Sequence, residues 1–272
     1  MGTDKSGRSI GVIGAGNLGR ALVTGLLKSK TVSGKNIILS DPAYSSLTAF
    51  QKQGVKTTGK NSDATKADVV ILAVKPSIAP MILREIKNEL PKNTLFISPV
   101  GGFSIIEMQK IIGKHPVVRI MPNLAVSVNA SVTCWVKSKE VSPAQIGVLK
   151  KLLQALGTEI DCRSEDMLAK ITAISGSGPT YIWYIAQLLE EAAISLGIEK
   201  SLAQKLVAQT LLGSAAFAKD TDKSYKELVD SVATKGGITE AALQVFADEK
   251  LDQTFLKAIK KAYEKAKLLE RA

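Results

Sequence analysis

Near the start of the chain, Gly14-Ala15-Gly16-Asn17-Leu18-Gly19 sets three glycines at the spacing G-x-G-x-x-G. That spacing suits a dinucleotide. One glycine makes a tight turn, one lets the backbone approach a pyrophosphate, and one lets helix and strand pack closely. The motif follows an apolar run and opens a helical pattern, so free N–H groups at a helix start would face the anion. Asp41 stands about twenty residues beyond the motif, after a second apolar run. A carboxylate there accepts both ribose hydroxyls of NAD and repels a 2′-phosphate, and no arginine is expected near it to grip one. Asp41 therefore leans toward NADH. Asp41-Pro42 is equally an ordinary turn starter, so NADPH and NADH both stay open.

A second group lies late in the chain. Thr234-Lys235-Gly236-Gly237-Ile238-Thr239 places hydroxyls around a Gly-Gly step before a helical pattern. Such a turn can cradle an anion, or it can simply begin a helix. His115, the single histidine, sits in Lys114-His115-Pro116 before a strand, at the opposite strand end from a ligand crevice. No catalytic role is expected for it. Cys134 and Cys162 are too far apart in sequence for a metal knuckle or a redox pair, so two buried reduced thiols and no metal are expected. Glu165 and Asp166 read as caps of an incoming helix, and Glu190 and Glu191 as exposed or ion-paired. Tyr181, Trp183 and Tyr184 read as core or subunit contacts.

A chain of 272 residues suits two domains, and a 45% apolar share allows both to bury a core. The formal net charge of +11 invites nucleic acid, but the lysines are scattered and no aromatic residues are interleaved with them. The densest group, Lys257, Lys260, Lys261, Lys265 and Lys267, falls in a helical pattern and reads as a solvated face. Apolar runs such as Val69–Val74 are too short to span a bilayer, and Met1 to Ser9 lack the apolar stretch of a secretory signal. A cytoplasmic protein without nucleic-acid or membrane partners is expected. Met1-Gly2-Thr3-Asp4-Lys5-Ser6 fits the short N-myristoylation pattern, which is common by chance.

Up to about Ser164 short apolar runs alternate with helical segments. Ser9–Ile13, Asn36–Ser40, a stretch near Val55, Val69–Val74, Leu95–Ser98 and Val117–Met121 read as strands, and Leu18–Lys30 and Ser45–Gln53 as helices. Pro76, Pro80 and Pro91 read as breaks. Ala130–Val136 reads as one or two more strands and Pro143–Leu156 as a helix closing the domain. This alternation predicts an α/β, Rossmann-type doubly wound parallel sheet over 1–164. Over 165–272 only helical spacing remains, in Tyr181–Leu196, Lys200–Lys219, Ser224–Ala233, Ile238–Glu249 and Leu251–Leu269, so an all-α domain is expected.

With these motifs in register from about Ile10 to Leu269, the chain resembles the pyrroline-5-carboxylate reductases. The resemblance rests on Ala73-Val74-Lys75-Pro76, Ser175-Gly176-Ser177-Gly178-Pro179, and Thr234-Lys235-Gly236-Gly237-Ile238-Thr239. It implies reduction of 1-pyrroline-5-carboxylate to L-proline with NADPH or NADH. It implies that Thr234, Gly236, Gly237, Ile238 and Thr239 bind the substrate, its carboxylate in the turn, with the Thr239 hydroxyl on the ring nitrogen as the catalytic contact. It implies a cofactor set of Gly14, Gly16, Asn17, Leu18, Gly19, Ser40, Asp41, Asn61, Ala73, Val74, Lys75, Pro76 and Asn123. It also implies that the helical domain dimerises, giving a homodimer or a ring of dimers. Helices as apolar as Leu202–Phe217 would equally suit a monomer's core.

This chain departs from the family pattern at Lys235, where proline is usual, at Leu124-Ala125 after Met121-Pro122-Asn123, and at Val100-Gly101-Gly102. Lys235 could add a charge contact to the substrate carboxylate. Two other enzyme readings stand beside this one, a reductase of another small cyclic imine acid and a β-hydroxyacid dehydrogenase. The second needs a catalytic lysine a few residues after Gly176 and Gly178, and none appears until Lys200. A catalytically silent dinucleotide sensor is the third rival.

Overall fold

A computed structural model describes residues 7–269, so the myristoylation-like hexapeptide lies outside the described residues. The chain forms two compact units, Met1–Ser177 with Ala262–Ala272, and Gly178–Lys261.

The first unit opens with β1 (Ile10–Ile13), α1 (Asn17–Lys28), β2 (Ile37–Ser40), α2 (Thr48–Gln51) and β3 (Lys56–Thr58). It continues with α3 (Asn61–Ala64), β4 (Val69–Leu72), α4 (Ala79–Ile86), β5 (Leu95–Ser98), α5 (Ile105–Ile112) and β6 (Val117–Met121). Then come β7 (Ser131–Lys137), α6 (Pro143–Gln154), β8 (Gly157–Asp161) and α7 (Glu165–Ile171). The eight strands form one sheet in the order β3-β2-β1-β4-β5-β6-β7-β8. All neighbours are parallel except β6 and β7. Buried strands alternate between two cores: Val69 and Ile71 pack with Leu22, Leu26 and Leu39, and Val70 and Leu72 with Leu83, Ile86 and Phe96. Burial on both faces explains why these strands read as unbroken apolar runs.

The departures from expectation have local causes. The helix expected over Ser45–Gln53 is a 3₁₀ turn, Tyr44–Leu47, followed by the four-residue α2. Pro76 and Pro80 do not merely break the chain: each stands in the first turn of a helical segment, where its missing N–H costs nothing. Ser104 and Glu107 form a capping box on α5, a helix absent from the sequence reading. The domain does not close on α6, because β8 pairs with β7 beyond it. As a half-exposed edge strand with Ile160 its only large apolar residue, β8 lacks a strand's usual run. The compact units meet at Ser177/Gly178, whereas the sequence division stood near Ser164. Leu168 and Ala169 of α7 are buried, Leu168 within the second core. The side chain of Ser164 caps α7, while Glu165 turns away to Arg119 at 2.6 Å and corrects the capping role expected of it.

Both cysteines are free, but only Cys134, on β7, is buried; Cys162 is half-buried, against the expectation of two buried thiols. Burial first, then the neighbouring Cys162, pushes the Cys134 thiol from its ordinary 9.0 up to about 12. The fold holds this thiol protonated. Its contribution to stability is therefore complete below about pH 9 and is lost as pH rises from there toward 12, where only the unfolded chain ionises. At pH 8 we expect Ellman's reagent to titrate at most one thiol per native chain and both in guanidinium. Two fast native thiols would contradict this burial.

The second unit holds α8 (Gly178–Ser195), α9 (Lys200–Lys219), α10 (Tyr225–Val232), α11 (Ile238–Asp248) and the start of α12 (Leu251–Leu269). Among its described residues only Ala203 is buried. Trp183 and Tyr184 are 56% and 59% exposed, and Leu212 is 64% exposed, so the α8 aromatics and the α9 apolar face are not a monomer's core. Lys257, Lys260, Lys261, Lys265 and Lys267 are exposed along α12, as expected. No helix among the described residues is long and apolar enough to cross a membrane.

Candidate active site

In the first unit, the parallel strands bring their C-terminal ends to one edge of the sheet, and the glycine loop leaves β1 there. Gly14 N–H donates to Ser40 O at 2.8 Å, tying the loop to the end of β2. Ala15 N–H donates to Asp41 Oδ2 at 2.8 Å, and Ala43 N–H to Asp41 Oδ1 at 2.9 Å. Gly16 is the N-cap of α1 with φ −68° and ψ −173°, ordinary extended backbone, and no side chain caps the helix. A Cβ at Gly16 would meet nothing within 4 Å. Gly19 is the reverse case: its Cβ would stand 2.0 Å from Gly14 O. Gly16 and Asn17 are exposed and Leu18 is half-buried against the core. The loop thus presents an open cradle at a helix start whose first N–H groups have no capping side chain, and a pyrophosphate fits it.

Ala73 N–H donates to Ile13 O at 2.7 Å, and the chain at Ala73 and Val74 lies against Gly14. Lys75 and Pro76 follow, exposed, into a 3₁₀ turn. Ser40 is fully buried, and its hydroxyl donates to Asn61 Oδ1 at 2.7 Å. Asn61 Nδ2 donates in turn to the Glu85 carboxylate at 3.0 and 3.1 Å. Ser40 and Asn61 are therefore joined to each other and to α4. Asn123, just past β6, caps the 3₁₀ turn Leu124–Val128 and donates from Nδ2 to Ser175 O at 3.1 Å. That bond brings the Met121-Pro122-Asn123 segment onto the Ser175-Gly176 segment, which forms a π turn after α7. His115 lies at the other edge, before β6, buried with Nε2 3.3 Å from Leu90 O.

Arg20 belongs to no motif in the sequence, yet it lies at the glycine loop. Its Nε donates to Ala15 O at 2.7 Å and its Nη2 to Ser46 Oγ at 3.2 Å. An arginine does lie beside the turn after β2, brought there from the first turn of α1. This corrects the expectation that none would be near Asp41.

In the second unit, Thr234 to Gly237 form one tight turn between α10 and α11, and Ile238 and Thr239 open α11. Thr234 O accepts Gly237 N–H at 2.9 Å. Gly236 has φ +74°, a left-handed conformation that favours glycine. Gly237 is the N-cap of α11 and offers no side-chain cap. Gly236 N–H donates to Glu240 Oε2 at 2.6 Å, so the turn already holds a carboxylate oxygen on one of its amides. Ile238 is 94% exposed, whereas Thr239 is half-buried in the first turn of α11. Lys235 and Thr234 are exposed beside the turn. No lysine occurs in α8, where a β-hydroxyacid dehydrogenase would need its base.

A family model described as NADP oxidoreductase, coenzyme F420-dependent, matches residues 9–102, and one described as pyrroline-5-carboxylate reductase dimerisation matches residues 165–269. With the strand order and the glycine loop, these matches make the chain an NAD(P)H-dependent oxidoreductase with a Rossmann sheet and a helical dimerisation domain. The pyrroline-5-carboxylate reductase of Methanosarcina acetivorans is 31% identical over 265 residues, 96% of this chain and 98% of that one. A solved pyrroline-5-carboxylate reductase from Coxiella burnetii is 37% identical, with a TM-score of 0.88, covering 97% of this chain and 99% of that one. The Plasmodium falciparum pyrroline carboxylate reductase, solved with NADP bound, is 26% identical with a TM-score of 0.89, over 99% and 100% of the two chains. The chain belongs to the pyrroline-5-carboxylate reductase family.

Proposed function

We infer that the protein reduces 1-pyrroline-5-carboxylate to L-proline, the closing step of proline biosynthesis. NAD(P)H, when bound, supplies the hydride to the C=N carbon. The observation that carries the site assignment is the turn before α11: an uncapped helix start, next to an amide that already holds a carboxylate oxygen. The substrate carboxylate takes the place of the Glu240 oxygen on the Gly236 N–H and reaches the Ile238 N–H and the Thr234 hydroxyl, Gly237 shapes the turn, and Lys235 adds positive charge beside it. The imine nitrogen arrives protonated, and the Thr239 hydroxyl oxygen accepts that N–H and orients the ring. A threonine hydroxyl is too weak an acid at neutral pH to do more than position or relay, so its share of the rate is modest.

At the cofactor end, the open cradle at Gly16, Asn17 and Leu18 takes the pyrophosphate, with Gly14 and Gly19 shaping the loop. Ala73, Val74, Lys75, Pro76 and Asn123 continue the same sheet edge toward the nicotinamide, and Ser40 and Asn61 brace the end of β2. Residues 165–272 serve substrate binding and dimerisation, and we propose a homodimer or a ring of dimers. A helical unit with one buried residue gains its apolar burial from a second copy. Free cysteines suit the cytoplasm, where we place the protein.

Loss of nicotinamide absorbance with pyrroline-5-carboxylate, run with NADH and with NADPH, tests the reaction. Thr239→Val is expected to lower kcat/KM for the imine about tenfold, the scale of one hydrogen bond to a charged group, and to leave cofactor affinity unchanged. The active species should have at least twice the mass of one chain in light scattering. Intact cofactor binding without oxidation would overturn the assignment in favour of a silent sensor. Oxidation with six-membered imines alone would assign a different cyclic imine acid.

A further inference from the structure

Two opposite charges hold the glycine loop at one residue. Asp41 accepts the N–H of Ala15, and Arg20 donates to its carbonyl. The second Asp41 oxygen accepts Ala43 N–H, so each oxygen of this carboxylate already serves a backbone donor at the turn after β2. Arg20 is exposed and extends beyond the loop to Ser46, whose hydroxyl donates to Ala43 O. Adenosine ribose binds at the end of the second strand in dinucleotide folds of this topology. Here that place is bordered by a guanidinium and a hydroxyl as well as by Asp41. The planar fork of a guanidinium matches a phosphate, while a carboxylate beside it opposes one.

We propose that Arg20, assisted by Ser46, reads the 2′-phosphate of the cofactor, and that Asp41 braces the loop at Ala15, so that the protein favours NADPH. This rests on the nicotinamide-cofactor reading and names the group that selects between the two cofactors. Arg20 touches both the loop and the ribose end, so its two roles must be separated. Fragments that share the adenosine and differ in the 2′-phosphate separate them.

Calorimetry on the full chain would compare adenosine 2′,5′-bisphosphate with 5′-AMP. Wild type is expected to bind the bisphosphate about tenfold more tightly, the scale of one charge-assisted contact. Arg20→Gln should remove that advantage and leave 5′-AMP affinity within about twofold, and Ser46→Ala should remove part of it. Equal loss of both fragments in Arg20→Gln would make Arg20 only a loop brace and overturn the proposal. So would an unchanged bisphosphate advantage. Neither fragment carries a nicotinamide or needs an imine. A failed imine assay beside the expected fragment pattern would therefore sink the reductase reading alone, and an active reductase without the pattern would sink this proposal alone.

Discussion

Replacing Gly16 with valine is expected to weaken NADPH and NADH binding by on the order of 10²–10³-fold while the protein stays folded. The backbone at Gly16 is extended and open to any residue, and its Cβ would meet no atom within 4 Å. Glycine is therefore not needed there for conformation or packing. It leaves room for a pyrophosphate to reach the amides at the start of α1, and an isopropyl group would fill that room. Losing two amide contacts to a charged group costs about 3–4 kcal/mol, which sets the expected factor. Valine is a poorer N-cap than glycine by roughly 1 kcal/mol, so the thermal midpoint should move by only a few degrees. Gly19→Ala is the control with the opposite cause, since its Cβ would enter the Gly14 carbonyl and cost stability. Fluorescence titration of both cofactors, with a melting curve on the same sample, decides the matter. A Gly16→Val protein that binds within about threefold of wild type would show that the cradle does not hold the pyrophosphate.

The largest effect on stability is expected from Glu165→Ala. Arg119 on β6 has a side chain only 2% exposed, and Glu165 meets it at 2.6 Å while also accepting Ile105 N–H at 3.0 Å. The one carboxylate thus links the sheet, the start of α5 and the start of α7. Removing the carboxylate costs about 2 kcal/mol, the scale of its charge-assisted bond to Arg119, which keeps the nearby charge of Glu107. For a chain of this size that corresponds to a fall of roughly 5 °C in thermal midpoint, measured at fixed protein concentration because assembly contributes to it. Glu165→Gln keeps an acceptor for the Ile105 amide and should lose less. A midpoint within about 2 °C of wild type for the alanine variant would mean the pair contributes little, as exposed pairs do.

Gly16 and Glu165 differ in how far the sequence foretells their roles. The role of Gly16 is written in a six-residue spacing between a strand and a helix, and the structure adds the open space around it. The role of Glu165 was misread as a helix cap, because a carboxylate at a helix start is a local pattern and Arg119 is 46 residues away. Arg20 was missed for the same reason. It adjoins the glycine motif in sequence, yet what matters is its reach to Ser46, 26 residues on.

The Rossmann-type sheet, the glycine loop, the two-part plan and the family are all legible in the order of the amino acids. Leu95–Ser98, Val117–Met121, Lys200–Lys219 and Leu251–Leu269 form their elements over the ranges their patterns mark. Periodicity records which face of an element is buried, and that information is local. The β8 edge, the prolines serving as helix starts, the Asn123–Ser175 link and the ties of Asp41 and Arg20 at Ala15 come from contacts made on folding. An edge strand is half wet and carries little periodic signal, and a bond across tens of residues leaves no spacing to read. The exposure of the α8 and α9 apolar faces likewise emerged only on folding. In sequence, a helix awaiting a second copy and a helix lining its own core carry the same pattern.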